Sequence, residues 1–151
     1  MKSFQRIPSV VLFLSLSSGL LLSGGCQLFS ETTHATAGPV YPDSLPKGEI
    51  FDVQVFRDST ILHMTNTTTR DFGPSTIWLN QRYSSPIDGL ASGESIEMDL
   101  KVFVDEFGET YRAGGFFSQR VPAPVVLCQL QTTGPDGPIM YGLIVVENNI
   151  D

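Results

Sequence analysis

Few residues in this chain have the type and spacing that metal binding or covalent catalysis requires. The two histidines, His34 and His63, are far apart in sequence, and no pair of cysteines accompanies them. His63 lies in a predicted strand, where its neighbour Met64 must point to the opposite face. We therefore expect His63 on the solvent-facing side of a sheet, and we expect no metal, no cofactor and no catalytic residue.

Cys128 is the one cysteine in the body of the chain, and it lies in the apolar run VVLCQL. A thiolate is disfavoured in apolar surroundings, so this position predicts a buried, unreactive thiol. No G-x-S-x-G segment indicates a serine nucleophile. A disulfide between Cys26 and Cys128 is the alternative if an ordinary signal peptidase removes the leader.

Asp105, Glu106 and Glu109 surround Gly108 in a predicted turn. Carboxylates in a loop can supply the oxygen ligands that calcium prefers. Their spacing does not match a calcium-binding D-x-[DN]-x-[DN]-G loop, so we expect a solvated turn instead.

Three aromatic residues are candidates for contact with a partner: Phe116, Phe117 and Trp78. Trp78 could stack on a sugar ring, although a single tryptophan in such a strand is more often part of a core. Phe116 and Phe117 follow two glycines. We expect both phenylalanine rings to be buried, and the alternative is that one ring is exposed and contacts a partner.

The first 26 residues have the layout of an export signal. Lys2 and Arg6 precede a 13-residue apolar stretch, and small residues lead up to Cys26. The stretch is shorter than the roughly 20 apolar residues that a membrane-spanning helix needs. The layout resembles that of exported bacterial lipoproteins. This resemblance implies that the leader is cleaved and that Cys26 carries lipid. It also implies a location in the bacterial cell envelope, at the periplasmic face or the outer membrane, and Gln27 in place of an aspartate favours the outer membrane.

These features divide the chain into three parts. Residues 1–25 are predicted to be the signal peptide, residues 26–48 a lipidated cysteine with a flexible tether, and residues 49–151 a β-sandwich domain. Without the leader, the chain keeps seven basic and 16 acidic residues, a net charge of −9. Such a charge repels phosphate backbones, so nucleic acid is excluded as a partner.

Seven short segments beyond residue 48 have the composition and alternation of β-strands. Segment 94–102 is the clearest, with Ile96, Met98, Leu100 and Val102 on one face. The predicted strands are 49–57, 60–66, 75–83, 94–102, 110–119, 125–132 and 139–147. Residues 134–138 (GPDGP) predict a tight turn. Seven such strands predict an all-β domain of two packed antiparallel sheets.

Two motifs extend this interpretation. A strand ending in Asn66-Thr67 is followed by a strand with Trp78, and then by the L-x-x-G-E-S motif of residues 90–95. This order resembles small immunoglobulin-like sandwich domains of bacterial envelope proteins. The resemblance implies a non-catalytic, lipid-anchored binding or structural module in the cell envelope, with its edge strands open to a partner protein or glycan. The alternatives are a carbohydrate-binding module that uses Trp78 and a metal-handling protein that uses His63 and methionines.

Overall fold

The computed structural model describes residues 36 to 146, which contain seven β-strands and one short 3-10 helix, Leu100–Val102. The predicted all-β class is therefore confirmed. The strands are β1 (Lys47–Asp58), β2 (Ile61–Asn66), β3 (Ser75–Leu79), β4 (Tyr83–Ile87), β5 (Ser95–Asp99), β6 (Cys128–Gly134) and β7 (Gly137–Val146). The leader, Cys26 and residues 26–35 lie outside the described residues, so cleavage and lipidation stay predictions.

All seven strands pair into one continuous mixed sheet, in the order β4-β3-β6-β7-β1-β2-β5. Neighbouring strands are antiparallel except for β1 and β7, which run parallel. The expectation of antiparallel pairing throughout is wrong at this pair. The long strand β1 pairs with β2 on one side and with β7 on the other, which makes the sheet continuous. A two-sheet immunoglobulin-like sandwich stays a prediction.

The sheet curls so that its two ends come close together. Val104, a few residues after β5, forms a backbone bridge with Ser84 of β4. A second bridge pairs Phe72, in the loop after β2, with Leu90, in the loop after β4. The curl encloses the core, because alternating side chains of each strand point inward. Fully buried core side chains include Val53, Val55, Leu62, Met64, Ile77, Leu79, Leu100, Phe103 and Leu130. Each such side chain contributes about 2 kcal/mol through burial.

The alternation predicted for β5 is confirmed up to Leu100, where the strand ends. Ile96 and Met98 pack against the core, and Leu100 is fully buried. Val102 departs from this pattern and is 52% exposed. The reason is that the Asp99 side chain accepts a hydrogen bond from the Lys101 amide and starts the 3-10 helix, which changes the side-chain period.

The predicted strand 75–83 is two strands joined by a tight turn. Asn80 and Gln81 have φ values of 52° and 56°, in the left-handed region, and they reverse the chain between β3 and β4. The Asn80 side-chain oxygen accepts hydrogen bonds from the amides of Val126 and Leu127. Asparagine tolerates this conformation better than most residues, which is why the chain turns here.

The predicted strand 110–119 does not form. Thr110 makes one isolated bridge with Val104, and the rest of the segment belongs to an irregular loop. Gly114 and Gly115 have φ values of 81° and 118°, outside the range of regular β backbone, and two such residues in a row redirect the chain. The predicted turn in residues 134–138 is correct: Gly134 pairs with Gly137 across a two-residue connection between β6 and β7.

Residues 36–46, which we predicted to be part of the tether, contact the sheet. The Gly38 amide donates to the Asp105 carbonyl at 2.7 Å, and the Met140 amide donates to the Pro46 carbonyl at 3.0 Å. A Cβ atom at Gly38 would lie 2.8 Å from the Val104 carbonyl oxygen, so only glycine fits here. Ordered packing therefore begins about ten residues before the domain boundary that we predicted.

Candidate functional site

Trp78 is buried, so its ring face is not open to a ligand or partner. Only 1% of its surface is exposed. Tyr41 covers it edge-on, with the ring centroids 5.2 Å apart, and the indole nitrogen donates to the Gln131 side-chain oxygen at 2.8 Å. The Tyr41 hydroxyl donates to the Gln129 side chain at 2.9 Å and so holds this cover in place. Trp78 as a partner contact is therefore corrected to a buried residue on the face of β3 opposite Ile77 and Leu79.

His63 lies on the outer face of β2 and is partly covered. Its ring stacks on Phe56 with centroids 4.5 Å apart and an angle of 2° between the planes. Its Nδ1 atom is 3.3 Å from a carboxylate oxygen of Glu97 on β5. Residues 36 to 146 contain no group of three potential metal ligands. His63 thus joins β1, β2 and β5 through side-chain contacts.

Cys128 is confirmed as a buried thiol at the start of β6, with no exposed surface. Burial raises the pKa of this thiol to about 12. A thiolate is the reactive form of cysteine, so Cys128 is a poor nucleophile at neutral pH.

Asp105 is not part of a solvated turn, because its carboxylate is completely buried. One carboxylate oxygen accepts the amides of Phe107 and Glu109, at 3.0 and 2.8 Å. The other accepts Nε and Nη2 of Arg82, at 2.9 and 2.6 Å. Arg82 also binds Glu109 at 2.7 Å. The carboxylate closes its own turn and anchors it to the chain beside β4.

Protonation of Asp105 is governed by these contacts. Burial by itself would raise the pKa of the carboxyl group, but the hydrogen bonds from Arg82 and from the amides of Glu109 and Phe107 outweigh it. The net result is a lowered pKa for Asp105. The same pair raises the pKa of Arg82, mainly through its hydrogen bond to Asp105. Both groups therefore stay charged in the ordinary pH range.

Asn66 brings together the two motifs on which the immunoglobulin-like resemblance depends. Its side-chain amide donates to the carbonyls of Arg70, Leu90 and Ala91, at 2.8, 3.1 and 3.0 Å. Its side-chain oxygen accepts from the amide and hydroxyl of Thr68. Because Asn66 is fully buried, it fastens the loop after β2 to the segment before β5. This role was not predicted, because the Leu90 and Ala91 carbonyls lie 24 and 25 positions further along the chain.

Phe116 and Phe117 are almost wholly exposed, at 96% and 92%, so the expectation that both are buried is wrong. Their rings touch each other edge to face, with centroids 4.9 Å apart. Val121, further along the same loop, is 81% exposed. Large apolar side chains displayed together in this way often mark a contact surface. We call residues 114–122 the Phe loop.

The base of the Phe loop is held by Arg57, from the end of β1. Its guanidinium donates to the carbonyls of Ala113 and Ala123, on either side of the loop. The Tyr111 hydroxyl also donates to the Ala123 carbonyl at 3.0 Å, and the Ala123 amide donates to the Arg112 carbonyl at 2.9 Å. The apolar tip therefore projects from an anchored base.

A second accessible feature is the outer edge of β5. On its inner side β5 pairs with β2, and on its outer side no strand pairs with it among residues 36 to 146. At one end of the β2–β5 pairing, the Asn66 amide donates a hydrogen bond to the Glu94 carbonyl. At the other end, the Leu100 amide donates to the Thr60 carbonyl. Antiparallel ladders alternate, so the backbone groups of Ser95, Glu97 and Asp99 face outward.

Comparisons of the chain with protein-family models, with curated proteins and with solved structures found no match in any of the three. The described part of the chain also holds no helix with the length and apolar character needed to cross a bilayer. The candidate surfaces are therefore those that the geometry itself supplies: the Phe loop and the outer edge of β5.

Proposed function

We propose that this protein is a non-catalytic, lipid-anchored module of the bacterial cell envelope that binds an extended partner segment at the outer edge of β5. The observation that carries the binding role is the outward row of backbone groups at Ser95, Glu97 and Asp99. Such a row can accept a further strand through main-chain hydrogen bonds. The leader layout before Cys26 supports the anchor and the envelope location.

The chemistry of the partner follows from the charge along β5. Glu94, Glu97 and Asp99 place carboxylates along this strand and its approach, and the Glu97 side chain is 71% exposed. Repulsion between such edges discourages two copies of the protein from pairing with each other. A partner segment with lysine or arginine at alternate positions is the favoured occupant.

A non-catalytic role is favoured because the polar residues with perturbed pKa values are committed to structural contacts. Asp105 and Arg82 satisfy each other, and the Cys128 thiol is enclosed with its pKa raised to about 12. The covered ring of Trp78 gives no support to the carbohydrate alternative, and the stacked His63 gives none to metal handling.

The anchor is tested by growth of a bacterial host with radiolabelled fatty acid. We expect label in the native protein and none in the Cys26→Ser variant, because the proposal makes the thiol at position 26 the acceptor. Cys128→Ser is the matched control and should keep the label, since the Cys128 thiol is buried. Equal labelling of the native protein and Cys26→Ser would contradict the anchor.

Strand addition is tested by comparing Glu97→Pro with Glu97→Ala in crosslinking experiments on intact cells. Both variants remove the carboxylate, but only proline removes the outward backbone donor at position 97. Proline is tolerated at sheet edges whose N–H faces solvent, so the fold should survive. We expect Glu97→Pro to lose the crosslinked partner and Glu97→Ala to keep most of it. Equal capture by both variants would rule out the β5 edge as the contact.

A further inference from the structure

The Phe loop displays two aromatic rings that its own domain does not cover. Phe116 and Phe117 are 96% and 92% exposed while the base of the loop is fixed by Arg57 and Tyr111. Rings held away from the domain in this way can enter an apolar phase without unfolding anything. Nearly their whole surface would then be removed from water, which strongly favours transfer.

The charge around the two rings indicates the kind of surface that receives them. Arg112 and Arg120 flank the rings, and both are exposed. Within residues 110–135 there is no acidic residue, although the chain contains 16. Two acidic residues lie outside this segment at strand ends: Asp58 is the last residue of β1, and Asp99 is the last residue of β5. The basic residue Lys101 comes two positions after Asp99. The loop itself thus contributes only positive charge to a protein that is acidic overall.

An apolar tip with arginines beside it matches the surface of an anionic bilayer, where charged head groups lie over the acyl chains. The aromatic rings suit the boundary between head groups and acyl chains, and arginines suit the negatively charged head groups. Ser118 and Gln119, next to the rings, are polar and exposed, which limits penetration to this boundary. A protein groove would complement the rings but would leave the absence of acidic residues from this segment unexplained.

We propose that the Phe loop inserts Phe116 and Phe117 into the surface of a bilayer that contains anionic phospholipid. This contact is separate from the lipid on Cys26 and involves the opposite side of the fold from the β6–β7 turn. The register of β1 with β7 places Lys47 near that turn, and the hydrogen bonds of Arg57 to Ala113 and Ala123 place the other end of β1 at the base of the Phe loop. The 12 residues of β1 therefore separate the two ends by about 30 Å.

The test uses an environment-sensitive NBD fluorophore on the full chain carrying Cys26→Ser. Ser118→Cys places the probe in the Phe loop, and Asp136→Cys places a control probe in the β6–β7 turn. The remaining cysteine, Cys128, is buried and does not compete for the label. The vesicles contain phosphatidylglycerol in one arm and phosphatidylcholine alone in the other. The leader is the same in every sample, so differences between probes report on the domain.

We expect a blue shift and an intensity gain for the probe at position 118 on phosphatidylglycerol vesicles, with little change at position 136. Phe116→Ser with Phe117→Ser should abolish the shift. Arg112→Gln with Arg120→Gln should reduce the preference for phosphatidylglycerol. All four side chains are exposed, so the variants should keep the circular dichroism spectrum of the native chain.

Three results would overturn the proposal. The first is a probe at position 118 that stays in water on both kinds of vesicle. The second is an equal response at positions 118 and 136, and the third is a response that survives loss of both phenylalanines. A probe that responds only when envelope protein is added would assign the Phe loop to a protein partner instead. Because Cys26 is replaced and β5 is untouched, these results do not depend on the anchor or on strand addition.

Discussion

Asp105 has no exposed surface, and its two carboxylate oxygens serve different partners. One oxygen closes the turn through the amides of Phe107 and Glu109, and the other binds Arg82. Asn66 has a similar role at the loop after β2, where its side-chain amide donates hydrogen bonds to three backbone carbonyls. Both side chains are fully satisfied, and a buried polar group that loses its partner costs about 1–3 kcal/mol. Removing either side chain would therefore leave other buried polar groups unsatisfied.

Asp105→Asn should destabilise the protein by about 2 kcal/mol at pH 7, because the charge-assisted hydrogen bonds from Arg82 are weakened. Glu109→Gln is the matched control. Its side chain is 68% exposed, so its contact with Arg82 is screened and the loss should stay below about 1 kcal/mol. Urea unfolding of the three proteins measures both values. Equal losses in the two variants would contradict the role assigned to Asp105.

The ion pair between Asp105 and Arg82 predicts how the stability of the protein depends on pH. The pKa of Asp105 is lowered in the folded state, so its contribution is complete above the pKa of the unfolded chain, about 4. As the pH falls through the lowered value, the carboxylate is protonated and this contribution is lost. The stability difference between the native protein and Asp105→Asn should therefore shrink below about pH 4. A difference that stays constant down to pH 2 would show that Asp105 does not titrate as described.

Residue types alone do not predict side-chain contacts between residues that are distant in sequence. The buried thiol at Cys128 could be predicted, because its own neighbours in the chain are apolar. The anchoring of the Phe loop could not, since Arg57 binds carbonyls 56 and 66 positions away. Phe116 and Phe117 were predicted to be buried from their apolar character, which says nothing about a loop held away from the core.

At the scale of elements, alternation predicted the positions of most strands but not every point at which a strand ends. β1, β2, β5 and β7 were all found close to their predicted positions. The errors occur where a side chain or a glycine redirects the backbone. Asp99 ends β5 early, Asn80 divides one predicted strand into two, and Gly114 and Gly115 prevent another. Apolar residues continue past these points, so the pattern alone does not reveal the interruption.

The turn between β6 and β7 gives a prediction at this scale. Gly137 has a φ of 120°, and a Cβ atom there would meet nothing within 4 Å. Gly137→Ala should therefore destabilise the protein by about 1–2 kcal/mol through backbone strain alone. Gly73→Ala is the control, because Gly73 also has open space but no positive φ. Thermal unfolding of both variants is the measurement, and a stability loss at Gly73 equal to that at Gly137 would contradict the explanation.

At the scale of the whole molecule, the all-β class could be predicted from the sequence, but the strand pairing could not. Short alternating segments predict strands without saying which of them become neighbours. The parallel pairing of β1 with β7 joins the first strand of the domain to the last. Tyr41 shows a similar limit, since no local pattern indicates that its ring covers Trp78, 37 positions further along the chain.

The pairing of the first strand with the last has a consequence for biogenesis. Ile50 is matched with Gly142, some ninety positions later, so β1 has no permanent neighbour on that side until β7 has been synthesised. Contacts between such distant parts of a chain form late and slow the folding reaction. A polypeptide built in this way keeps one edge of β1 open during synthesis, and its sheet becomes continuous only after β7 has emerged from the ribosome.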